Sequence, residues 1–217
     1  MKIIHLGAQN SVVNTYMQQL RDVNYQGNRT LFRNNLVRIA HVMAYELSRT
    51  LSYSPKQVQT PLGVKEVATY DDHIVVGTVL RAGLAFHEGF LDVFEGADSA
   101  FVAAYREEGH KEDLKIHLEY MASPQLDGCT FLLADPMLAT GGSLELAWKA
   151  FLHRGRPRRL HICCVIAARE GIDHLQQLFP DDDVTLWTAA VDPELNEAAY
   201  IVPGLGDAGD LSFGPKV

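Results

Sequence analysis

The chain has 217 residues, enough for one full apolar core, and its 47% hydrophobic and 21% charged content excludes a disordered or fibrous protein. A formal net charge of −8 excludes a general nucleic-acid surface, which needs a footprint of Lys and Arg. Any phosphate bound here must therefore be gathered by local donors rather than by the overall field.

The N-terminal MKIIHLGAQNSVVNTY carries only a short apolar run, too short for a signal peptide, and no apolar run approaches the ~18 residues of a membrane span. From Leu31 to Ser48 the residues Phe32, Leu36, Ile39, Met43 and Leu47 recur at helical spacing. QVQTPLGVKEVATY (57–70) has Pro and Gly between short β-type stretches and reads as a hairpin or arm. Strands and helices then alternate. Apolar strands are predicted at 73–80, 99–106, 129–135, 160–168 and 183–190, with a helix after Gly83 and further helices at 143–154 and 170–179. Runs apolar on both faces and separated by helices indicate a mostly parallel twisted sheet covered on both sides, an α/β fold. Trp148 and Trp187 fall in these patterns and read as core. Cys129, Cys163 and Cys164 show neither a disulfide framework nor metal-ligand spacing and read as buried thiols of a reducing compartment, the cytoplasm.

Ligands of such sheets gather beyond the carboxyl ends of the strands. Four blocks lie there. In LLADPMLATGGS (132–143) an apolar strand ends in Asp135, passes paired glycines and enters a helix. Gly141 and Gly142 let the backbone approach an oxyanion, Thr140 and Ser143 add hydroxyls, and the helix dipole adds a favourable field. The loop has no lysine and no GxxxxGK[ST] pattern, so a single phosphate monoester fits better than a nucleoside triphosphate. A plain strand-to-helix turn with Ser143 as N-cap accounts for TGGS equally well. Arg81 in VLRAGL and Arg106 in AAYREE each follow or end a strand with a guanidinium suited to phosphate. The charged stretch after Arg106 reads as a flap. YIVPGLGDAGD (200–210), with three glycines, a proline and two aspartates, is expected to be neither helix nor regular strand and to expose backbone groups to a flat heterocycle.

Together VLRAGL, AAYREE, LLADPMLATGGS and YIVPGLGDAGDLSFG resemble, in order and spacing, the uracil phosphoribosyltransferases, over roughly residues 21–214 and including the TPLG arm. The resemblance implies a type I phosphoribosyltransferase-like single domain: an N-terminal helical segment (about 1–56), a β-arm (57–70), an α/β core (73–190) and a base-binding tail or hood (191–217). It implies transfer of the phosphoribosyl group of 5-phosphoribosyl 1-diphosphate to uracil, giving UMP and diphosphate. Thr140, Gly141, Gly142 and Ser143 would hold the 5-phosphate, with Asp135, Pro136, Met137, Leu138 and Ala139 completing the loop under the ribose. Arg81 and Arg106 would meet the diphosphate. Ile201, Gly206, Asp207 and Ala208 would bind uracil, with Asp207 also near the diphosphate. Arg81, Arg106, Asp135 and Asp207 are then the catalytic set. Mg²⁺ would arrive on the diphosphate with no protein cage. GTP is a candidate effector, and the assembly implied is a homodimer or homotetramer, without nucleic acid or membrane.

In many phosphoribosyltransferases two adjacent acids open this loop. Here Pro136 takes the second place, so Asp207 is expected to take over part of the ribose or metal contacts. The uracil N1 proton leaves to Asp207 or to water. The sequence departs from the family pattern at Phe86, His87 and Glu88, at Arg169, and throughout the 107–124 flap. His87 reads as a helix-face residue beside the loop. The basic HRGRPRRLH (153–161) reads as a solvated helix end and turn rather than an RNA surface. A ligand-sensing regulator on the same fold is the other class considered. A phosphoribosyltransferase for another base is opposed by the GLGDAGD tail.

Overall fold

A computed structural model describes residues 1–106, 116–180 and 184–215. The first part runs β1 (Lys2–His5), α1 (Val12–Arg21), α2 (Val23–Gln26), α3 (Arg29–Ser48), the hairpin β2 (Tyr53–Thr60) and β3 (Gly63–Tyr70), β4 (Ile74–Leu80) and α4 (Leu84–Val93). Next come β5 (Asp98–Arg106), β6 (Ile116–Ala122), β7 (Thr130–Ala134), β8 (Met137–Leu138) and α5 (Gly142–Phe151). The chain closes with β9 (Arg159–Ala168), α6 (Arg169–Leu178), β10 (Val184–Asp192), the short strands β11 (Glu194–Leu195) and β12 (Ile201–Val202), and α7 (Ala208–Phe213).

One sheet in the order β1-β10-β9-β7-β4-β5-β6 carries the core, with β8 paired to β9. All its pairings are parallel except β6 on β5. Successive side chains of a strand point to opposite faces. Val76, Leu132, Cys163 and Trp187 accordingly join a cluster with α1, α3 and α4, whereas Val75, Phe131, Leu133, Ile162, Cys164 and Leu186 pack under α5 and α6. The two-sided apolar runs of the sequence are thus two cores sharing one sheet, and the expected α/β architecture is present.

Three elements differ from the sequence reading. The N-terminal segment is not purely helical, since β1 adds an edge strand along β10. An antiparallel edge strand, β6, occupies part of the predicted flap. The tail includes both a two-residue strand, β12, and a helix, α7, contrary to the expectation of neither. A further correction concerns His87, which is buried (4% exposed) between α4 and β4, with Nε2 3.2 Å from the Val76 carbonyl oxygen, and not a helix-face residue beside the loop. Burial lowers its pKa.

The cysteines are free and buried; burial pushes the Cys129 thiol up to about 11 and the Cys164 thiol up to about 12, so neither supplies a thiolate near neutral pH. Trp187 is core, and Trp148 is half-buried against Phe131 and Phe179. Within the basic 153–161 segment, Arg158 is not simply solvated: its Nη2 donates to the fully buried Asp72 carboxylate at 2.6 Å, and Asp72 also accepts from Thr130 Oγ1 at 2.6 Å and Ser52 N–H at 2.6 Å. That cluster pins the base of the β2–β3 arm to the amino-terminal edge of the sheet.

Candidate active site

The strands β4 and β7 are neighbours, and their carboxyl ends are tied by the Thr78 hydroxyl donating to the Ala134 carbonyl at 2.8 Å. Asp135 follows β7 directly, is 8% exposed, and accepts from the Met137 N–H at 3.3 Å. Its own N–H donates to the Cys163 carbonyl, and the Pro136 carbonyl accepts from both Val165 and Ile166 N–H at 3.0 Å. Residue 136 therefore contributes an acceptor to β9 and has no N–H of its own to satisfy. The loop is rigidly laced to β9 before it reaches Thr140.

Gly141 adopts φ +88°, a left-handed conformation that disfavours any side chain, and it is the N-cap of α5. Ser143 lies inside the first turn, so the alternative of a turn capped by Ser143 is not what forms. No side chain caps this helix; the Gly142 N–H has only a long contact, 3.4 Å, to Thr140 Oγ1. A helix start with open N–H groups, its dipole, and two flanking hydroxyls suits an oxyanion.

Across the edge, Arg81 follows β4. Its Nη2 donates to Asp210 Oδ1 at 2.8 Å, while its Nε is buried without a hydrogen-bond partner among the described residues. The tail reaches this point through α7. Asp207 caps that helix, accepting from the Asp210 N–H at 2.9 Å. At Gly209 the backbone comes close: an added Cβ would lie 3.1 Å from Asp207 Oδ1, 3.7 Å from Ala82 Cβ and 3.8 Å from Arg81 Nη2. From the other side Arg33 Nη1 donates to the Ser212 carbonyl at 2.6 Å, docking α7 on α3.

The 201–207 stretch is held by residues far away in sequence. Asp192, at the end of β10 and 5% exposed, accepts from the Gly204 N–H at 2.8 Å and from both Arg21 terminal nitrogens at 2.7 Å. Arg21 also donates to the Gly204 carbonyl at 2.9 Å, and Gln26 Nε2 to the Leu205 carbonyl at 3.1 Å. Burial pushes the Asp192 carboxyl upward, but the hydrogen bonds from Arg21 and Gly204 outweigh it and hold the pKa below the usual carboxylate range. Ile201, Leu205 and Ala208 are buried in the same apolar cluster against which Met137 and Ala139 pack.

The candidate residues Asp135 through Ser143, Arg81, Ile201, Gly206, Asp207 and Ala208 thus surround one end of the sheet. Arg106 closes β5, but its side chain lies outside the described residues, as do residues 107–115 of the predicted flap. Sequence reasoning missed Asp210, the partner of Arg81, and the Arg21–Asp192 pair. Asp192 carried a usable signal, a carboxylate directly ending an apolar strand, as Asp135 does.

A parallel sheet whose carboxyl edge gathers a strand-end acid, a glycine loop opening a helix, and a facing arginine has the architecture of a phosphoribosyltransferase. Comparison with known proteins is more specific. The uracil phosphoribosyltransferase family pattern matches residues 7–215. A uracil phosphoribosyltransferase of Porphyromonas gingivalis is 46% identical over 217 residues, covering 100% of both chains, and one of Sulfolobus acidocaldarius is 38% identical over 208 residues, covering 92% of this chain and 94% of that one. The solved structure of the AQ2163 protein from Aquifex aeolicus is 32% identical, superposes with a TM-score of 0.87, and covers 99% of each chain. The chain belongs to the uracil phosphoribosyltransferase family and is an enzyme of the pentosyltransferase class. No helix among the described residues is long and apolar enough to cross a membrane.

Proposed function

We propose that the carboxyl edge of this sheet carries out the family reaction, joining uracil N1 to C1 of 5-phosphoribosyl 1-diphosphate to give UMP and diphosphate. The observation that carries the residue assignment is the meeting of the tail helix with the arginine loop, Gly209 against Arg81 and Ala82, in the apolar cluster that also takes Met137 and Ala139 of the loop leading into α5. Thr140, Gly141, Gly142 and Ser143 bind the 5-phosphate through N–H groups and hydroxyls. Asp135 lies under the ribose, where a carboxylate favours the cationic character that C1 acquires as its bond to oxygen lengthens. The departing diphosphate takes that electron pair. Arg81 and Arg106 stabilise its growing charge by preorganised electrostatics. Uracil lies against the backbone of 201–208, at Ile201, Gly206, Asp207 and Ala208, and gives its N1 proton to Asp207 or to water as the C1–N1 bond forms.

The described residues contain no group of three or more His, Cys, Asp or Glu side chains arranged to hold a metal. Asp207 and Asp210 beside Arg81 nevertheless offer the one or two carboxylates that Mg²⁺ takes when it enters on a diphosphate. When bound, Mg²⁺ neutralises diphosphate charge. A cytoplasmic location fits three free, buried thiols. GTP as effector and a homodimer or homotetramer complete the reading. The β2–β3 arm supports assembly, since it exposes Val58, Leu62, Val64 and Val67, and a lone two-stranded hairpin is marginal in water.

The Asp207 assignment has a clean test because asparagine caps helices as well as aspartate does. Asp207→Asn keeps α7 and removes only the charge. Steady-state kinetics are expected to show the Michaelis constant for the phosphoribosyl donor raised, or turnover lowered, by roughly 10- to 100-fold, with little change in melting temperature. Unchanged values of both parameters would remove Asp207 from the site.

A further inference from the structure

Helix α6 meets the glycine loop at two points on one face. At Gly171 an added Cβ would lie 2.3 Å from the Ala139 carbonyl oxygen and 2.9 Å from Leu138 Cδ1, so the helix backbone touches the loop directly. Three residues on, and therefore on the same side of the helix, His174 lays its ring beside Gly141, with its Cδ2 2.7 Å from where a Cβ on that glycine would be. The neighbouring ring nitrogen is fixed. Nε2 lies 2.6 Å from Glu145 Oε2, and Glu145 Oε1 accepts from Lys149 Nζ at 2.5 Å. Glu145 is also the first residue whose N–H closes the helix onto the loop, donating to the Gly141 carbonyl at 2.9 Å.

Gly141 is left-handed and has no side chain of its own to fix it. Glycine pays the largest conformational entropy on ordering. The His174 ring restricts it from one side, and Glu145 ties it from the next helical turn. Glu145 would otherwise be an unpaired negative charge one turn from a phosphate; Lys149 pairs with its Oε1 along α5, and the His174 contact turns its Oε2 toward α6.

We infer that His174, tethered by Glu145, is a positioning residue that presets the Gly141 backbone for the 5-phosphate. It does not touch the reacting atoms. The inference rests on the assignment of 140–143 to the 5-phosphate, and the two can be separated by ligands carrying only one end of the donor. Ribose 5-phosphate has the 5-phosphate, and inorganic diphosphate has only the other end. Both are measured as inhibitors competing with the phosphoribosyl donor, in the wild type, in His174→Ala and in His174→Gln.

His174→Ala is expected to weaken ribose 5-phosphate by about 10-fold, the usual scale for removing a residue that orients a ligand-binding group, and to leave diphosphate within twofold. The donor's Michaelis constant rises with it, and that of uracil does not. Glutamine places an amide N–H within reach of Glu145 and is expected to recover most of the loss. Glu145→Gln, which keeps a hydrogen-bonding partner for His174, is a second variant expected to bind ribose 5-phosphate within threefold of wild type. Ribose 5-phosphate binding alike in wild type and His174→Ala would overturn the inference. So would equal weakening of ribose 5-phosphate, diphosphate and uracil, which marks general loosening of the fold. Failure of ribose 5-phosphate to compete with the donor even in the wild type would overturn the 140–143 assignment itself, and the inference with it.

Discussion

Arg81→Ala is expected to lower kcat/KM by about 10²- to 10³-fold, the cost of removing one preorganised donor to a developing anion, while leaving the protein folded. The two halves of that expectation come from different observations. Arg81 meets Asp210 in an ion pair whose side chains are 36% and 39% exposed, and a half-exposed pair of this kind contributes at most about 1 kcal/mol to stability. Its Nε, by contrast, is buried and unpartnered among the described residues, an arrangement that costs free energy unless a ligand anion relieves it. Stability and catalysis should therefore part company at this residue. Arg81→Lys should not rescue, because a point charge cannot reproduce the planar fork. Steady-state kinetics alongside calorimetry read both quantities. A kcat/KM within threefold of wild type would exclude Arg81 from the diphosphate site.

Asp192→Ala should act in the opposite proportion, on the fold of the tail first and on catalysis through it. The carboxylate is 6% exposed and holds three N–H donors at 2.7 to 2.8 Å, two from Arg21 and one from Gly204. Truncation leaves the Arg21 guanidinium, whose side chain is 27% exposed, without its counter-charge, and the Gly204 N–H without an acceptor. Breaking a buried pair from one side costs about 3 kcal/mol when, as here, one partner keeps some contact with water. Urea unfolding reads that loss. Because the Gly204–Asp207 backbone is the part set free, the Michaelis constant for uracil should rise by at least about 10-fold, the donor's less so. Equal changes in both constants would contradict the view that Asp192 serves the base-binding tail.

Much of this was legible in the sequence because it is local. The five central strands announce themselves as runs apolar on both faces, and Arg81, Arg106 and Asp135 declare themselves by standing where those runs stop. The glycine loop is contiguous, so its cradle can be read directly. What escaped depends on partners distant in the chain. Lys2–His5 is too short for any period to show, and it becomes a strand only because β10 offers an edge. The tail has a glycine-rich composition, yet α7 forms because Asp207 caps it and Arg33, on another helix, donates to its Ser212 carbonyl. His87 reads from the sequence as a helix-face residue beside the loop, but α4 is covered by α3 on one side and by the sheet on the other, so two faces are buried. Arg158 and Asp72 stand 86 positions apart, and no spacing rule couples them. The Arg21–Asp192–Gly204 anchor has the same character, long-range and invisible until the fold closes it.

The central claim, that this site makes UMP from uracil, is tested most directly by chromatographic product analysis. The purified chain is incubated with Mg²⁺ and 5-phosphoribosyl 1-diphosphate, and separately with uracil, cytosine, orotate, hypoxanthine or xanthine. UMP from uracil, and no nucleotide from the other bases, is the predicted result. No nucleotide from uracil, with or without GTP, would contradict it and point to a sensor that holds these ligands without turning them over.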